Sequence, residues 1–505
     1  MKTSVAIVGA GPAGLTAGYL LAKNEVDAVV LEADPIYVGG ISRTVRYRGF
    51  HFDIGGHRFF SKSKAVENLW QEILPNDMLE RPRSSRIFYD RKFFAYPLRP
   101  FEALFKLGLL RSAACVLSWL RARLFPVPNP RNFEDWVSNQ FGRRLFRIFF
   151  KSYTEKVWGM DCREISADWA AQRIQGLSLG SAIRNALFPP RHSSPNQSRV
   201  IKTLINRFRY PRRGPGMMWE AAAAKMQSLG GELRMGCRVT GLEYNELTDR
   251  WTVQFRDREG REQSLEAEHV ISSAPLRELI GSLSPAVSNR VAEAARRLRY
   301  RDFLTVMLIV RASDAFADNW IYIHDPEVKV GRIQNFRSWS PEMVPDPDKA
   351  CYGLEYFCFE NDGLWEMSDG DLIALAKREL VQIGLAREQD VIDGCVVRQK
   401  KAYPVYDDDY ARHVATIRTE LEQHYPRLHL VGRNGMHKYN NQDHAMMTAM
   451  LCVENILAKK ELYDLWQVNG DAEYHEAGPA ATEREHGNAI RLVPLRVSAA
   501  TAPPS

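Results

Sequence analysis

The sequence predicts an α/β protein: a parallel sheet flanked by helices, a helical middle segment and a second sheet that is mixed and largely antiparallel. Three observations carry that expectation. An apolar run at residues 5–8, a helical run at 15–22 and a second apolar run at 28–31 follow one another, with glycines between the first two. That is the order of a right-handed βαβ unit. From about residue 99 to 187 the pattern turns helical, with 133–150 amphipathic and 168–187 another helix candidate. Strand-like runs then dominate, at 232–235, 251–255, 269–272, 303–310 and 352–358, before a last strand at 428–431 and a helix from about 443 to 458.

A chain of 505 residues exceeds one ordinary core, and the alternation of patterns predicts discontinuous units. We expect a nucleotide-binding domain assembled from 1–98, 201–275 and 401–470, a helical substrate or lid domain at 99–200, a β-rich substrate domain at 276–400 and a disordered tail at 471–505. Hydrophobic residues are 45% and charged residues 26%, values that suit a globular enzyme. Seven scattered cysteines form no C-x-x-C pair, so reduced thiols are expected. The first apolar run enters a glycine turn instead of a cleavage site, which argues against a signal peptide and for the cytoplasm. The net charge of +7 comes without a Lys/Arg block, so nucleic-acid binding is not expected. Residues 101–125 are rich in Leu, Phe and Trp, but Lys106, Arg111, Arg121 and Arg123 interrupt them too often for a bilayer span. An amphipathic helix packed on the protein is the expectation there, with contact at a membrane surface the alternative.

The first βα turn is Gly9-Ala10-Gly11-Pro12-Ala13-Gly14. Gly9 permits the tight turn, Gly11 lets the backbone approach a pyrophosphate, Gly14 allows close helix–strand contact, and the helix N-terminus offers N–H groups to the anion. Glu32, at the end of the second strand, can accept both ribose hydroxyls and disfavours a 2′-phosphate. These residues predict a Rossmann-like dinucleotide site. No metal is expected, because the histidines lack ligand spacing, and no Ser–His–Asp arrangement stands out.

Val38-Gly39-Gly40-Ile41-Ser42-Arg43-Thr44 resembles the second glycine motif of the amine-oxidase-like FAD superfamily, which implies FAD, with Arg43 bracing the pyrophosphate beside Gly40. Arg238-Val239 resembles that superfamily's adenine contact, and Val270-Ile271-Ser272-Ser273-Ala274-Pro275 its returning strand. Phe52-Asp53-Ile54-Gly55-Gly56-His57-Arg58-Phe59 resembles the flavin loop of UDP-galactopyranose mutases, with Gly56 and His57 against the ring. Tyr153 and Trp158, five apart, resemble the mutase pair that sandwiches the nucleotide-sugar, and Trp169-Ala170-Ala171-Gln172-Arg173 resembles the start of a mobile lid whose arginine grips the diphosphate.

Val431-Gly432-Arg433-Asn434 and Asn441-Gln442-Asp443-His444 before an apolar helix resemble the eukaryotic-type mutases, which places Gly432, Arg433, Asn441, Gln442 and Asp443 at the flavin. The resemblance assigns Arg332, Tyr403 and Tyr439 to the substrate diphosphate and Tyr96 to the nucleoside. It also implies a catalytic role for His57, Arg173 and Arg332. Tyr96-Pro97-Leu98-Arg99 departs from the family's Tyr-Pro-Phe-Gln, and Thr154 replaces a polar amide, so base and ribose recognition are the least secured.

The implied reaction is a pyranose–furanose interconversion of a nucleotide-sugar, with reduced FAD as a nucleophile through its N5, and NAD(P)H a candidate reductant. The rival is a redox enzyme of amine-oxidase or protoporphyrinogen-oxidase type.

Overall fold

The computed structural model describes residues 2–167, 207–311 and 315–469. Two large sheets organise them. The first runs, in spatial order, β13 (Leu283–Ser284), β10 (Arg238–Asn245), β11 (Arg250–Arg256), β12 (Glu262–Ser272), β1 (Lys2–Val8), β2 (Ala28–Glu32) and β9 (Glu232–Met235). The short β19 (Leu428–Leu430) pairs in parallel with the end of β12. β1 lies between β2 and β12, parallel to both, so it is covered on both faces, and its residues alternate between two cores. Val5 and Ile7 pack with helix α1 (Pro12–Lys23) and the helices Gly216–Ser228 and Gln442–Ala458, whereas Ala6 and Val8 pack with Trp251, Val253 and Leu276. Each such buried aliphatic side chain contributes about 1.5–3 kcal/mol.

The second sheet runs β18 (Val391–Pro404), β14 (Tyr300–Arg311), β17 (Lys349–Cys358), β16 (Arg332–Asn335), β15 (Trp320–Ile323), β6 (Ser85–Tyr89) and β7 (Lys92–Ala95). Among these neighbours only β15 and β6 are parallel. Its outer face packs on the helix Asp369–Ile383 through Leu304, Val306, Leu308 and Leu354. A hairpin, β3 (Thr44–Tyr47) with β4 (Phe50–Asp53), and a long-range antiparallel pair, β5 (Met78–Pro82) with β8 (Arg207–Pro211), complete the strands.

Sheet membership cuts across the segments read from the sequence. β6 and β7, within 1–98, hydrogen-bond into the second sheet, β18 carries residues 401–404 there too, and β13 returns to the first. Strand pairing, which short-range patterns do not encode, decides this. The expected helix over 133–150 is also broken, into Phe133–Phe141, Arg143–Phe146 and a wide turn before Ser152–Trp158. Gly142 causes the break: its φ is +81°, and a Cβ there would lie 2.6 Å from the backbone nitrogen of Trp119 on the crossing helix Leu109–Leu124. Arg173, expected at the start of a lid, the helix candidate at 168–187 and the tail expected beyond 470 lie outside the described residues.

Candidate functional site

A cleft opens at the C-terminal edge of the parallel strands, between the two sheets. The glycine turn forms one wall, and its three glycines are required for different reasons. Gly9 has φ +94°, and a Cβ on Gly14 would lie 1.8 Å from the Gly9 carbonyl oxygen. Both are demanded by the protein itself. Gly11 is different: its φ is −77°, and a Cβ there would meet nothing within 4 Å. Its missing side chain leaves room in the cleft, and no side chain caps the first turn of α1. An anion at the N-terminus of α1 fits that vacancy. Gly40 closes over the turn, the Gly39 N–H donating to Ala10 O at 2.8 Å.

At the end of β2, Glu32 Oε2 accepts from Ala10 N (2.6 Å) and Oε1 from Asp34 N (2.8 Å). Each oxygen keeps a lone pair for a hydroxyl. Burial raises the carboxyl's pKa, and those two N–H groups pull it back. Arg238 and Val239, at the start of β10, line the same end. At the opposite end stands the N-terminus of the Gln442–Ala458 helix, capped by Asn441. Gln442 Nε2 donates to Arg58 O at 3.1 Å, while its Oε1, buried in the cleft wall, has no partner among the described residues. Burial lifts the neighbouring Asp443 carboxyl to about 7.

Between these ends lies the Gly55–His57 loop. A Cβ on Gly55, whose φ is +86°, would sit 3.7 Å from His57 Cε1 and 3.8 Å from Arg332 Nη2, so the loop rests against Arg332. Loss of water and the charges of Arg433 and Arg332 push the His57 imidazole down to about 3, and its Nδ1 has no partner among the described residues. A neutral imidazole with an unpaired nitrogen faces the cleft.

Beside the loop, the second sheet presents a row of side chains directly opposite one another: Tyr322 on β15, Arg332 on β16, Glu355 on β17 and Thr305 on β14. Glu355 is fully buried and accepts from Arg332 Nε (2.6 Å) and Nη2 (2.5 Å), with Gln334 donating to its other oxygen. Burial works against the Arg332 charge, but Glu355 outweighs it and holds the guanidinium protonated. Three of its five N–H donors stay available.

Around Arg332 gather four tyrosines from distant parts of the chain. Tyr153 packs edge-on to Tyr322 (5.6 Å), Tyr403 stacks on Tyr439 (5.6 Å), and Arg433 lies 5.1 and 5.2 Å from the Tyr403 and Tyr439 rings. Burial pushes the Tyr403 phenol up to about 12 and raises Tyr153 as well, so both remain donors at neutral pH.

A model of the flavin-containing amine oxidoreductases matches residues 12–456. The chain belongs to that family. Among curated proteins, the dTDP-fucopyranose mutase of Escherichia coli is 25% identical over 169 residues, 32% of this chain and 44% of that protein, so the match spans less than half of the relative's length. Among solved structures, reduced UDP-galactopyranose mutase superposes with a TM-score of 0.76 at 21% identity, covering 91% of this chain and 94% of that one. A putative protoporphyrinogen oxidase from Exiguobacterium sp. 255-15 gives 0.68 at 16% identity (91% and 100% covered), and putrescine oxidase bound to putrescine gives 0.60 at 17% (91% and 99%). At these identities the structural likenesses show a shared fold.

Within this family member, three residues singled out from the sequence sit apart from the cleft. Arg43 Nη1 donates to Gly40 O (3.0 Å) and to Gln399 Oε1 on β18 (2.7 Å), tying the Gly40 turn to the second sheet from behind. Trp158 is 5% exposed in a core with Phe133, Val137 and Phe146, and its ring lies 6.4 Å from that of Tyr439. Asp443 is buried behind the cleft wall. Tyr96 does join the face, tilted on Tyr322 at 5.0 Å, and Tyr153 already stacks on His324 (4.6 Å, 13°).

The sequence reading missed Glu355, Gln334, Trp320, Tyr322 and Arg83. Gln334 Oε1, Trp320 Nε1 and Arg83 Nε and Nη1 are buried without hydrogen-bond partners among the described residues, and Arg83 lies over the Tyr96 and Trp320 rings. Alternation within β15 and β16 would have put Trp320 with Tyr322, and Arg332 with Gln334, on one face. Nothing local says which strand that face opposes.

Proposed function

We propose that this flavoenzyme interconverts the pyranose and furanose forms of a nucleotide-sugar. The observation that carries the reading is the assembly of Arg332, Tyr153, Tyr403, Tyr439 and Arg433 on one sheet face against the flavin loop. A planar cation with spare donors and un-ionised phenols is suited to a pyrophosphate.

In this reading FAD spans the cleft. Gly9, Gly11, Ala13 and Gly14 receive its diphosphate at the N-terminus of α1, Glu32 its ribose, Val239 its adenine side, and Gly56, Gly432, Asn441 and Gln442 the flavin end. The unpartnered Gln442 Oε1 and the vacancy at Gly11 fit such a guest. Reduced FAD supplies a nucleophile toward sugar carbon. The protein's tasks are to hold the nucleotide-sugar and to exclude water. Arg332 (anchored by Glu355), Tyr403 and Tyr439 fix the diphosphate, while Tyr96 and Tyr153 border the nucleoside and sugar, with Trp158 packed behind Tyr439. Arg173 is the lid residue proposed to close over it. His57 stays neutral at working pH and offers Nδ1 to a hydroxyl. Holding the reacting atoms together lowers the entropic part of the barrier.

The test is anaerobic reduction of the yellow protein with dithionite, addition of UDP-galactopyranose or dTDP-fucopyranose, and chromatography for the furanose. Appearance of the isomer is the expected result. No isomer from either, together with bleaching of the oxidised flavin by putrescine or another amine, would make the protein an oxidase. Arg332→Ala alone is a poor probe because it strands the buried Glu355. The pair Arg332→Gln with Glu355→Gln removes both charges at once, and should lower nucleotide-sugar affinity at least about tenfold, with flavin retained.

A further inference from the structure

The helices Pro100–Leu107 and Leu109–Leu124 do not bury their apolar residues as the sequence suggests. Phe105, Leu109 and Leu110 are each about nine-tenths exposed, and Leu117, Leu124 and Phe125 two-thirds or more. Packing on the protein uses another side of the second helix: Ser112 and Cys115 are buried, and Ser112 Oγ donates to Leu104 O at 2.7 Å. Leu110, Ala113, Leu117, Leu120 and Leu124, spaced by three and four, form a separate outward stripe that the fold does not need. Phe105 and Phe125, both strongly exposed, extend it at its two ends, and a contiguous exposed apolar patch of this kind marks an interaction surface.

Charge selects the partner. Between residues 99 and 131 stand six basic residues, Arg99, Lys106, Arg111, Arg121, Arg123 and Arg131, and one acid, Glu102, which is already paired with Lys106 at 2.6 Å. The Leu109–Leu124 helix has no acidic residue, and exposed Arg121 and Arg123 flank its stripe. A second copy docked on this patch would set arginine against arginine. Phosphate headgroups above an apolar layer complement both features.

We propose that this helical pair is a membrane-surface dock, lying in the interface of an anionic lipid bilayer with the stripe submerged and the arginines at headgroup level. No helix among the described residues is long and apolar enough to cross a membrane, so the dock lies along the surface. The helix of 16 residues would occupy about 24 Å of that surface. Lys106 Nζ donates to Phe93 O at 2.5 Å, and the chain leaves β7 through Tyr96, so docking brings the Tyr96 edge of the second sheet to the lipid.

Flotation of the flavin-loaded protein with phosphatidylcholine vesicles, with and without phosphatidylglycerol, tests this. The protein should float with the anionic vesicles, and raised salt should release it. Leu110→Asp with Leu117→Asp and Leu124→Asp should weaken binding at least about tenfold while flavin absorbance and melting temperature stay those of the parent. Arg121→Gln with Arg123→Gln should weaken it on anionic vesicles only. Failure to float on anionic vesicles, or equal flotation of the triple variant, overturns the proposal. So does light scattering that finds a dimer which the triple variant splits in the absence of lipid, because the patch would then belong to a second copy.

Discussion

On the proposed reading, the cleft and the sheet face beside it recognise their ligands by opposite means. In the cleft, main chain does most of the work: a turn of glycines, two helix N-termini and one carboxylate held by backbone N–H groups. On the sheet face, side chains do it, and each is held by another side chain, as Arg332 is by Glu355. A main-chain site tolerates no added atom. A side-chain site fails in proportion to what is removed, and its members fail together.

Substitutions at single atoms test that contrast. The largest effect belongs to Gly14→Val, since even a Cβ would lie 1.8 Å from the Gly9 oxygen. Ordinary overpacking costs about 1–3 kcal/mol, but here the obstacle is main chain with no side chain to give way, so the cost exceeds that of any side-chain change and the variant should lose both flavin and cooperative unfolding of the first sheet, read by denaturant melts and absorbance. Arg332→Ala comes next. It leaves Glu355 charged and fully buried, which should cost about 3–5 kcal/mol, whereas the Arg332→Gln with Glu355→Gln pair should recover most of that. If the pair is as unstable as the single variant, the two residues do not act as a unit. Gly11→Ala sharpens the comparison most: its backbone is ordinary and its Cβ meets nothing, so stability without flavin should change by under about 0.5 kcal/mol. Flavin retention should nonetheless fall at least about tenfold, because a methyl group would occupy the ligand's approach.

The last test is in pH. Burial holds His324 at about 3 and His437 at about 4, so both are neutral when folded. Their unfolded copies bind protons below about 6.5, so each removes stability as pH falls from there toward the folded value, at about 1.4 kcal/mol per pH unit. Buried Asp53, lifted to about 8, has the opposite sign: folded, it keeps a proton that the unfolded chain releases above about 4. His437→Gln should therefore flatten the fall in unfolding free energy between pH 6.5 and 4 by one proton's slope, measurable by urea melts at several pH values.

The same contrast explains what was legible beforehand. Gly9, Gly11, Gly14 and Glu32 lie within one βαβ unit, where spacing alone fixes geometry, and the parallel pairing of its two strands could be read directly. Tyr153, Arg332, Tyr403 and Tyr439 could be grouped only through likeness to a known family, since nothing local brings them together. Glu355 escaped notice because its meaning lies in standing opposite Arg332, and register is settled by the whole sheet. The broken 133–150 helix hinged on a single glycine meeting a crossing backbone.

The arrangement of the first sheet also sets an order of events during synthesis. β1 and the glycine turn leave the ribosome first, yet the partners of β1 include β12, residues 262–272, and the wall opposite the turn is the N-terminus of the Gln442–Ala458 helix. A nascent chain halted before Gln442 has a finished glycine turn and only part of a cleft. Capture of the cofactor must therefore wait until nearly all of the described chain has emerged.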